Sequence, residues 1–359
     1  MAVEKMARHI ERPDFGLNLN SLMGTTMQRY DVYGMGNALV DMEFSVDDGF
    51  LETMGVEKGY MTLVDEQRQF ELLEFLRDEP AHRSGGGSAA NTVVGSALFG
   101  SKTFYSCLVS NDEMGDFYTG ELRRAGVDTN LTIRRADGVT GKCLVMVTPD
   151  AERTMNTYLG ISESLSRDEV HPDALRDSQY LYVEGYLVTS PTARPAVVHA
   201  REIAREAGVK TAVSFSDPSM VRYFRLGLEE IVGQGVDLLF CNREEALLWG
   251  GCRTLAKAVD ELRRIAGTFA VTLGADGALV YDGDSLHEID PFPASAVDTN
   301  GAGDMFAGAF LYGITHGMDH ARAGRFASLA ASKVVGVFGP RLKPEEYERT
   351  LAEFLALKP

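Results

Sequence analysis

The sequence predicts an α/β fold: a mainly parallel central sheet covered by helices, with a small second sheet beside it. Three observations carry this. With 359 residues, 45% of them hydrophobic, the chain can bury a large core. From Tyr180 onward, short apolar runs alternate with helix-length stretches. That is the rhythm of βαβ units, whose strands lie parallel because each helical crossover returns the chain to the same end of the sheet. Two segments, Glu43–Leu63 and Arg134–Tyr158, break the rhythm. They alternate apolar and polar residues between turns, as a sheet wet on one face does, and read as a candidate lid.

The elements follow in order. Met1–Arg29 has mixed polarity, weak periodicity and no apolar run of the signal-peptide kind, so it reads as an extension outside a domain spanning 30–359. Met27, just before the first strand, leaves open an upstream start-site artefact. Strands are expected at Tyr30–Gly36, Thr103–Val109, Lys142–Thr148, Tyr180–Val188, Lys210–Phe215, Val236–Cys241, Phe269–Leu273 and Ala278–Tyr281, each rich in apolar and β-branched residues. Helices are expected at Asp65–Arg77, Ala89–Leu98, Asp112–Ala125, Thr192–Ala207, Arg243–Trp249, Leu255–Ala266, Gly303–Thr315, Ala321–Val335 and Glu345–Ala356. There is no internal repeat.

Composition excludes several function classes. The net charge is −17 without basic clusters, which argues against nucleic-acid or anionic-membrane partners. No apolar run reaches eighteen residues, so no membrane span is expected. Cys107, Cys143, Cys241 and Cys252 form no CxxC pair and read as reduced thiols of a cytoplasmic protein. None of the seven histidines forms an HExxH motif.

The chemistry centres on Asp298-Thr299-Asn300-Gly301-Ala302-Gly303-Asp304, which leads into an apolar helix-forming run. Permissive residues there would leave the N–H groups of Gly301, Ala302 and Gly303 unpaired at a helix N-terminus, where orphan donors and the helix dipole favour anions. A carboxylate, Asp304, stands in the same turn. An amide nest for phosphate beside a fixed base suits phosphoryl transfer to a hydroxyl. The plainer reading, an Asp serving the helix start, stays open.

Gly85-Gly86-Gly87-Ser88-Ala89-Ala90-Asn91 opens another helix, and its glycines permit a ligand to approach the backbone. A flexible loop before a capped helix is the equal alternative. Gly34-Met35-Gly36-Asn37-Ala38-Leu39-Val40-Asp41 places Asn37 and Asp41 at the C-terminal end of a strand, where open α/β sheets bind ligands. A carboxylate there suits a vicinal diol. Leu39 occupies the third-glycine position of a dinucleotide fingerprint and no helix pattern follows, which disfavours a dehydrogenase. Gly95–Thr103 is a near miss to a P-loop with its lysine one position late. Asn242-Arg243-Glu244-Glu245 suits hydrated Mg²⁺ near phosphates, but also reads as a helix capping box.

These motifs occur together in a recognisable order. Through Gly86-Gly87-Ser88-Ala89-Ala90-Asn91 and Asp298–Asp304, about 200 residues apart, the chain resembles the PfkB/ribokinase family of sugar and nucleoside kinases. Within it, Asn37 and Asp41 four residues apart, Glu152-Arg153-Thr154, Glu184-Gly185-Tyr186-Leu187 and Leu239–Ala246 are similar to adenosine kinases. The resemblance implies a ribokinase-like three-layer α/β/α fold with a β-sheet lid. It implies Asp304 as catalytic base and Gly301, Ala302 and Gly303 as anion hole. Asn37, Asp41, Gly87 and Asn91 would bind ribose hydroxyls, and Arg153 would reach the phosphates from the lid. Asn242 and Glu245 would organise Mg²⁺ through water, and Thr272, Gly274 and Gly277 would border ATP. Asp298 would hold a monovalent cation, K⁺, with the Val337–Gly339 loop. The implied activity is ATP-dependent phosphorylation of a ribofuranosyl primary hydroxyl, adenosine's 5′-hydroxyl foremost. A kinase of a free furanose and a non-catalytic nucleotide-binding regulator are the rivals. Monomer and homodimer are both compatible.

Overall fold

The computed structural model describes residues 29–357 except 60, 80, 81 and 151, so the expected extension at 1–28 lies outside the described residues. A nine-stranded sheet forms the middle layer. Its spatial order is Leu286–Ile289, Ala278–Tyr281, Ala266–Thr272, Val236–Asn242, Lys210–Ser214, Ser178–Glu184, Tyr30–Met35, Thr103–Ser106 and Val127–Thr129. The last seven strands run parallel, and the two hairpin strands at the other edge are antiparallel.

The two faces follow from the pleat. Val32, Tyr182, Ala212, Leu238 and Phe240 point into one core with the helices Ser88–Phe99, Ala302–Thr315 and His320–Val334. Their neighbours Tyr33, Val183, Val213, Leu239 and Cys241 point into the other, with Ala193–Ala207, Arg225–Val232 and Leu255–Leu262. Successive side chains alternate faces, so near-continuous apolar strands fill both layers.

Strand order reverses beside Tyr30–Met35. The chain first builds outward through Thr103–Ser106 to Val127–Thr129, then returns to place Ser178–Glu184 on the opposite side of Tyr30–Met35. That switch point opens a crevice at the carboxyl ends of the strands.

The second sheet has the order Met61–Leu63, Arg153–Gly160, Thr140–Val147, Leu39–Ser45 and His82–Gly86. Both lid segments contribute to it, with corrections. Within 43–63, Asp48–Thr53 is a helix capped by Asp47, whose carboxylate accepts from Phe50 N–H. Apolar residues at Phe50, Leu51 and Met54 gave helical spacing that the alternation reading absorbed. His82–Gly86 pairs antiparallel with Leu39–Ser45, although its polar and glycine content reads as loop. Several boundaries also move: the strand from Thr103 stops at Ser106, and the strand expected from Phe269 begins at Ala266. The strand from Ser178 stops at Glu184 and a 3₁₀ turn covers Gly185–Thr189. The helix from Leu255 stops at Leu262, because Ala266 already begins the next strand.

Candidate active site

Three turns meet at the crevice. Gly301 takes the left-handed conformation, with φ 75°, and ends up as N-cap of Ala302–Thr315 without any side-chain cap. A Cβ there would meet Pro340 at 2.5 Å, so the turn needs glycine on two counts. Among the described residues the N–H groups of Gly301 and Gly303 have no protein partner, whereas that of Ala302 already donates to Thr299 C=O at 3.3 Å. The expected three-amide nest is therefore a two-amide one before any ligand arrives.

Asp304 lies in the first turn of that helix. Its Oδ1 accepts from Ser88 Oγ at 2.7 Å and its Oδ2 from Asn91 Nδ2 at 3.0 Å. The two glycine-containing motifs are thus joined through the carboxylate. Enclosure in the cavity wall raises its pKa to about 6, against the lowering pull of Ser88, Asn91 and the Arg341 charge.

The small sheet positions Asp41. It stands on Leu39–Ser45, and a Cβ at Gly86 of the paired strand would meet its Oδ1 at 2.3 Å. Only glycine lets that carboxylate lie over the strand. Among the described residues the Asp41 carboxylate has no hydrogen-bond donor, so both oxygens remain available to a ligand in the cavity. Enclosure raises its pKa to about 7; Arg341 and Arg153 pull down, while Asp304 and Glu43 push up.

Asn37 is locked rather than free. Its N–H and Nδ2 both donate to Glu184 Oε1, at 2.7 and 2.8 Å, its Oδ1 accepts from Ser162 Oγ at 3.2 Å, and its C=O accepts from Tyr105 Oη. Glu184 Oε2 accepts from Ala89 N–H at 2.6 Å. One fully buried carboxylate therefore ties the first-strand turn to the start of the helix Ser88–Phe99. Burial raises its pKa to about 7. Gly87, with φ 98°, lets the chain pass over Asn37 C=O.

On the opposite side Asn242 and Glu245 form the capping box that was the rival reading. Asn242 Oδ1 accepts from Glu245 N–H at 2.9 Å, and Glu245 returns both oxygens to Asn242. Both still line the cavity, with Thr272 and Asp217. Gly274 and Gly277 form the turn beyond Thr272 and lie outside the lining. Among the described residues no group of three His, Cys, Asp or Glu side chains could hold a metal by itself. Two cavity carboxylates and an amide do fit Mg²⁺ that reaches them through water and is otherwise held by phosphate oxygens.

Arg153 bridges Glu43 at 3.2 Å and Asp298 at 3.0 Å. Asp298 also accepts from the N–H groups of Asn300 and Gly339. The residue expected at a cation thus has a guanidinium for its neighbour here. Neither Arg153 nor Asp298 lines the cavity.

The cavity, about 420 Å³, brings together Asn37, Asp41, Gly87, Asn91, Asn242, Glu245, Thr272, Gly301, Gly303 and Asp304. The sequence reading missed four features. Ser88 and Arg341 contact the machinery, and Glu184 organises it. The fourth is an apolar wall that the small sheet supplies through Leu39, Val145, Met155 and Leu159, continued by Met61 and Leu63. The alternation in the lid segments was its signal: one face had to be apolar, and that face is turned to the cavity.

Raised carboxyl pKa values predict how stability depends on pH. A folded-state pKa above the unfolded value means the folded protein holds its protons longer, so stability falls as pH rises from about 4 through about 7. The unliganded protein should therefore melt at a higher temperature at pH 6 than at pH 8. Asp41→Asn, neutral at both, should narrow that gap in a thermal scan. An unchanged gap would show that the Asp41 carboxyl is well solvated.

The family model described as pfkB family carbohydrate kinase matches residues 63–346. Adenosine kinase of Schizophyllum commune is 26% identical over 350 residues, covering 88% of this chain and 98% of the relative. The crystal structure of adenosine kinase from Sinorhizobium meliloti has 36% identity and a TM-score of 0.81, covering 90% of this chain and 99% of its own. A structure described as a probable sugar kinase from Rhizobium etli has 34% identity and a TM-score of 0.83, covering 91% and 100%.

Proposed function

The chain belongs to the pfkB family of carbohydrate kinases, and from that premise we propose that this ATP-dependent sugar or nucleoside kinase phosphorylates the 5′-hydroxyl of adenosine. One observation carries the choice of acceptor. Past the unpartnered Asp41 carboxylate, the cavity continues along an apolar wall of Leu39, Val145, Met155 and Leu159. A diol on Asp41 would direct a planar base onto that wall, burying apolar surface worth about 25 cal/mol per Å². A free furanose would leave the wall bare. The sugar-kinase relatives keep that second reading in play.

Asp304 is assigned to take the proton of the acceptor hydroxyl, and its pKa of about 6 leaves it ionised at neutral pH. The N–H groups of Gly301 and Gly303 face the charge that gathers on the transferring phosphoryl group. Mg²⁺ with ATP would supply further charge neutralisation on the phosphates, held by Glu245, Asn242 and Asp217 through water. A monovalent cation such as K⁺ beside Asp298 would require Arg153 to move off that carboxylate.

The deciding experiment is a coupled ADP-release screen across purine and pyrimidine nucleosides and free furanoses. Adenosine should give the highest kcat/KM. Preference for a free sugar would overturn the nucleoside assignment while leaving the kinase intact. The apolar wall adds a structural check. Met61 and Leu63 are 38% and 52% exposed, and adenosine should cover them. Hydrogen exchange in Met61–Leu63 and Arg153–Gly160 should slow on adenosine binding more than in the core strand Val236–Asn242. If exchange there ignores adenosine, the small sheet is no lid.

A further inference from the structure

Three consecutive residues far along the chain touch both glycine-containing motif turns. Gly339 N–H donates to Asp298 Oδ2 at 2.8 Å. Pro340 packs against Gly301 so closely that a Cβ there would meet its Cα at 2.5 Å. Arg341 Nε donates to Asn91 Oδ1 at 2.9 Å, and a Cβ at Gly85 would meet its Nη1 at 3.4 Å. Two motif turns about 200 residues apart are therefore set against each other by one short loop.

The Arg341 contact decides an orientation. A guanidinium can only donate, so the Asn91 atom facing it must be the amide oxygen. The amide NH₂ is then turned to Asp304, and an ionised carboxylate can only accept. With Ser88 on the other oxygen, Asp304 is supplied with two donors. Among the described residues Arg341 Nη2 is buried without a hydrogen-bond partner, so the guanidinium's hydrogen bond to Asn91 runs through Nε.

We propose that Arg341 is a positioning residue for the catalytic base: it fixes the Asn91 amide so that NH₂, not C=O, faces Asp304. The inference rests on the reading of Asp304 as base. Without Arg341 the amide is free to flip, which would put a carbonyl oxygen against the carboxylate and favour the protonated acid. The positive charge that opposes the raised Asp304 pKa would go as well. The other groups bearing on Asp304 are Ser88 from the helix, Asp41 from the small sheet, Tyr182 and Glu184 from the strand Ser178–Glu184, and Tyr186 from the 3₁₀ turn after it. Among the described residues none of them donates to Asn91 Oδ1, whose donor is Arg341 Nε.

The test compares kcat and kcat/KM against pH for wild type, Arg341→Lys, Arg341→Met and Asp304→Asn, with thermal melting of each. Arg341→Met should move the acid limb up by about one unit, so that activity falls about tenfold below pH 6.5 and far less at pH 8.5. Arg341→Lys keeps a donor and the charge, and should bring the limb back towards wild type. In Asn91→Ala, which removes the amide, the same Arg341→Met change should shift the limb less than it does in wild type. A uniform loss at every pH in Arg341→Met, with the limb unmoved, would overturn the positioning role while leaving Asp304 as base. Near-wild-type turnover in Asp304→Asn would overturn the base assignment itself, and the inference with it.

Discussion

Asp304→Asn is expected to abolish most turnover, by roughly 10²–10⁴-fold, while acceptor and ATP affinities stay within a few-fold of wild type. The substitution keeps side-chain volume: the remaining oxygen can accept from Asn91 NH₂ while the new amide NH₂ donates to Ser88 Oγ. What disappears is the proton acceptor. Nothing nearby substitutes for it: Glu184 is committed to Asn37 and Ala89, and Asp41 stands over Gly86 on the small sheet. The amides of Gly301 and Gly303 remain, so residual activity should reflect their stabilisation of phosphoryl charge alone. Steady-state kinetics with separate binding titrations would separate the two effects. Turnover within a few-fold of wild type would show that another group takes the proton.

Asp41→Ala should lower acceptor affinity by roughly 10²-fold or more and leave ATP binding nearly untouched. Hydrogen bonds to a charged group contribute about 1.5–3 kcal/mol each, and a diol would make two with this carboxylate. Among the described residues no group donates to it, which makes the reasoning sharper, because no such partner is orphaned by the change. Alanine is smaller than aspartate and adds no contact over Gly86. Calorimetric titration with adenosine, and separately with a non-hydrolysable ATP analogue, reads both arms. Equal weakening of the two would contradict the diol assignment.

The legibility of the site varies by residue. Asp304, Gly301 and Gly303 could be grouped from the sequence because one local segment carries both the carboxylate and the amides. Asp41 could be read from its place after an apolar strand. Asn37 and Asn91 were read as ligands of ribose, yet each is held by protein partners: Asn37 by Glu184 and Ser162, Asn91 between Arg341 and Asp304. No local pattern announces a partner 147 or 250 residues away. The capping box at Asn242 and Glu245 shows the reverse, since its hydrogen bonds span three residues and local chemistry was enough.

By itself, the sequence determined what is local and periodic: the βαβ rhythm, the apolar strands, the uncapped glycine turn before Ala302–Thr315 and the alternation of the lid segments. Those depend on backbone freedom, side-chain branching and spacing within a few residues. Only the tertiary structure decided how the parts face one another. It set Ser178–Glu184 beside Tyr30–Met35, and so brought Glu184 to Asn37. It recruited His82–Gly86 into the small sheet, turned the apolar face of that sheet onto the cavity, and carried Pro340 and Arg341 back to the two motif turns. The physical reason is that such contacts join residues far apart in the chain. They are chosen by the packing of whole layers, and the burial that encloses Asp41, Glu184 and Asp304 exists only once those layers have closed.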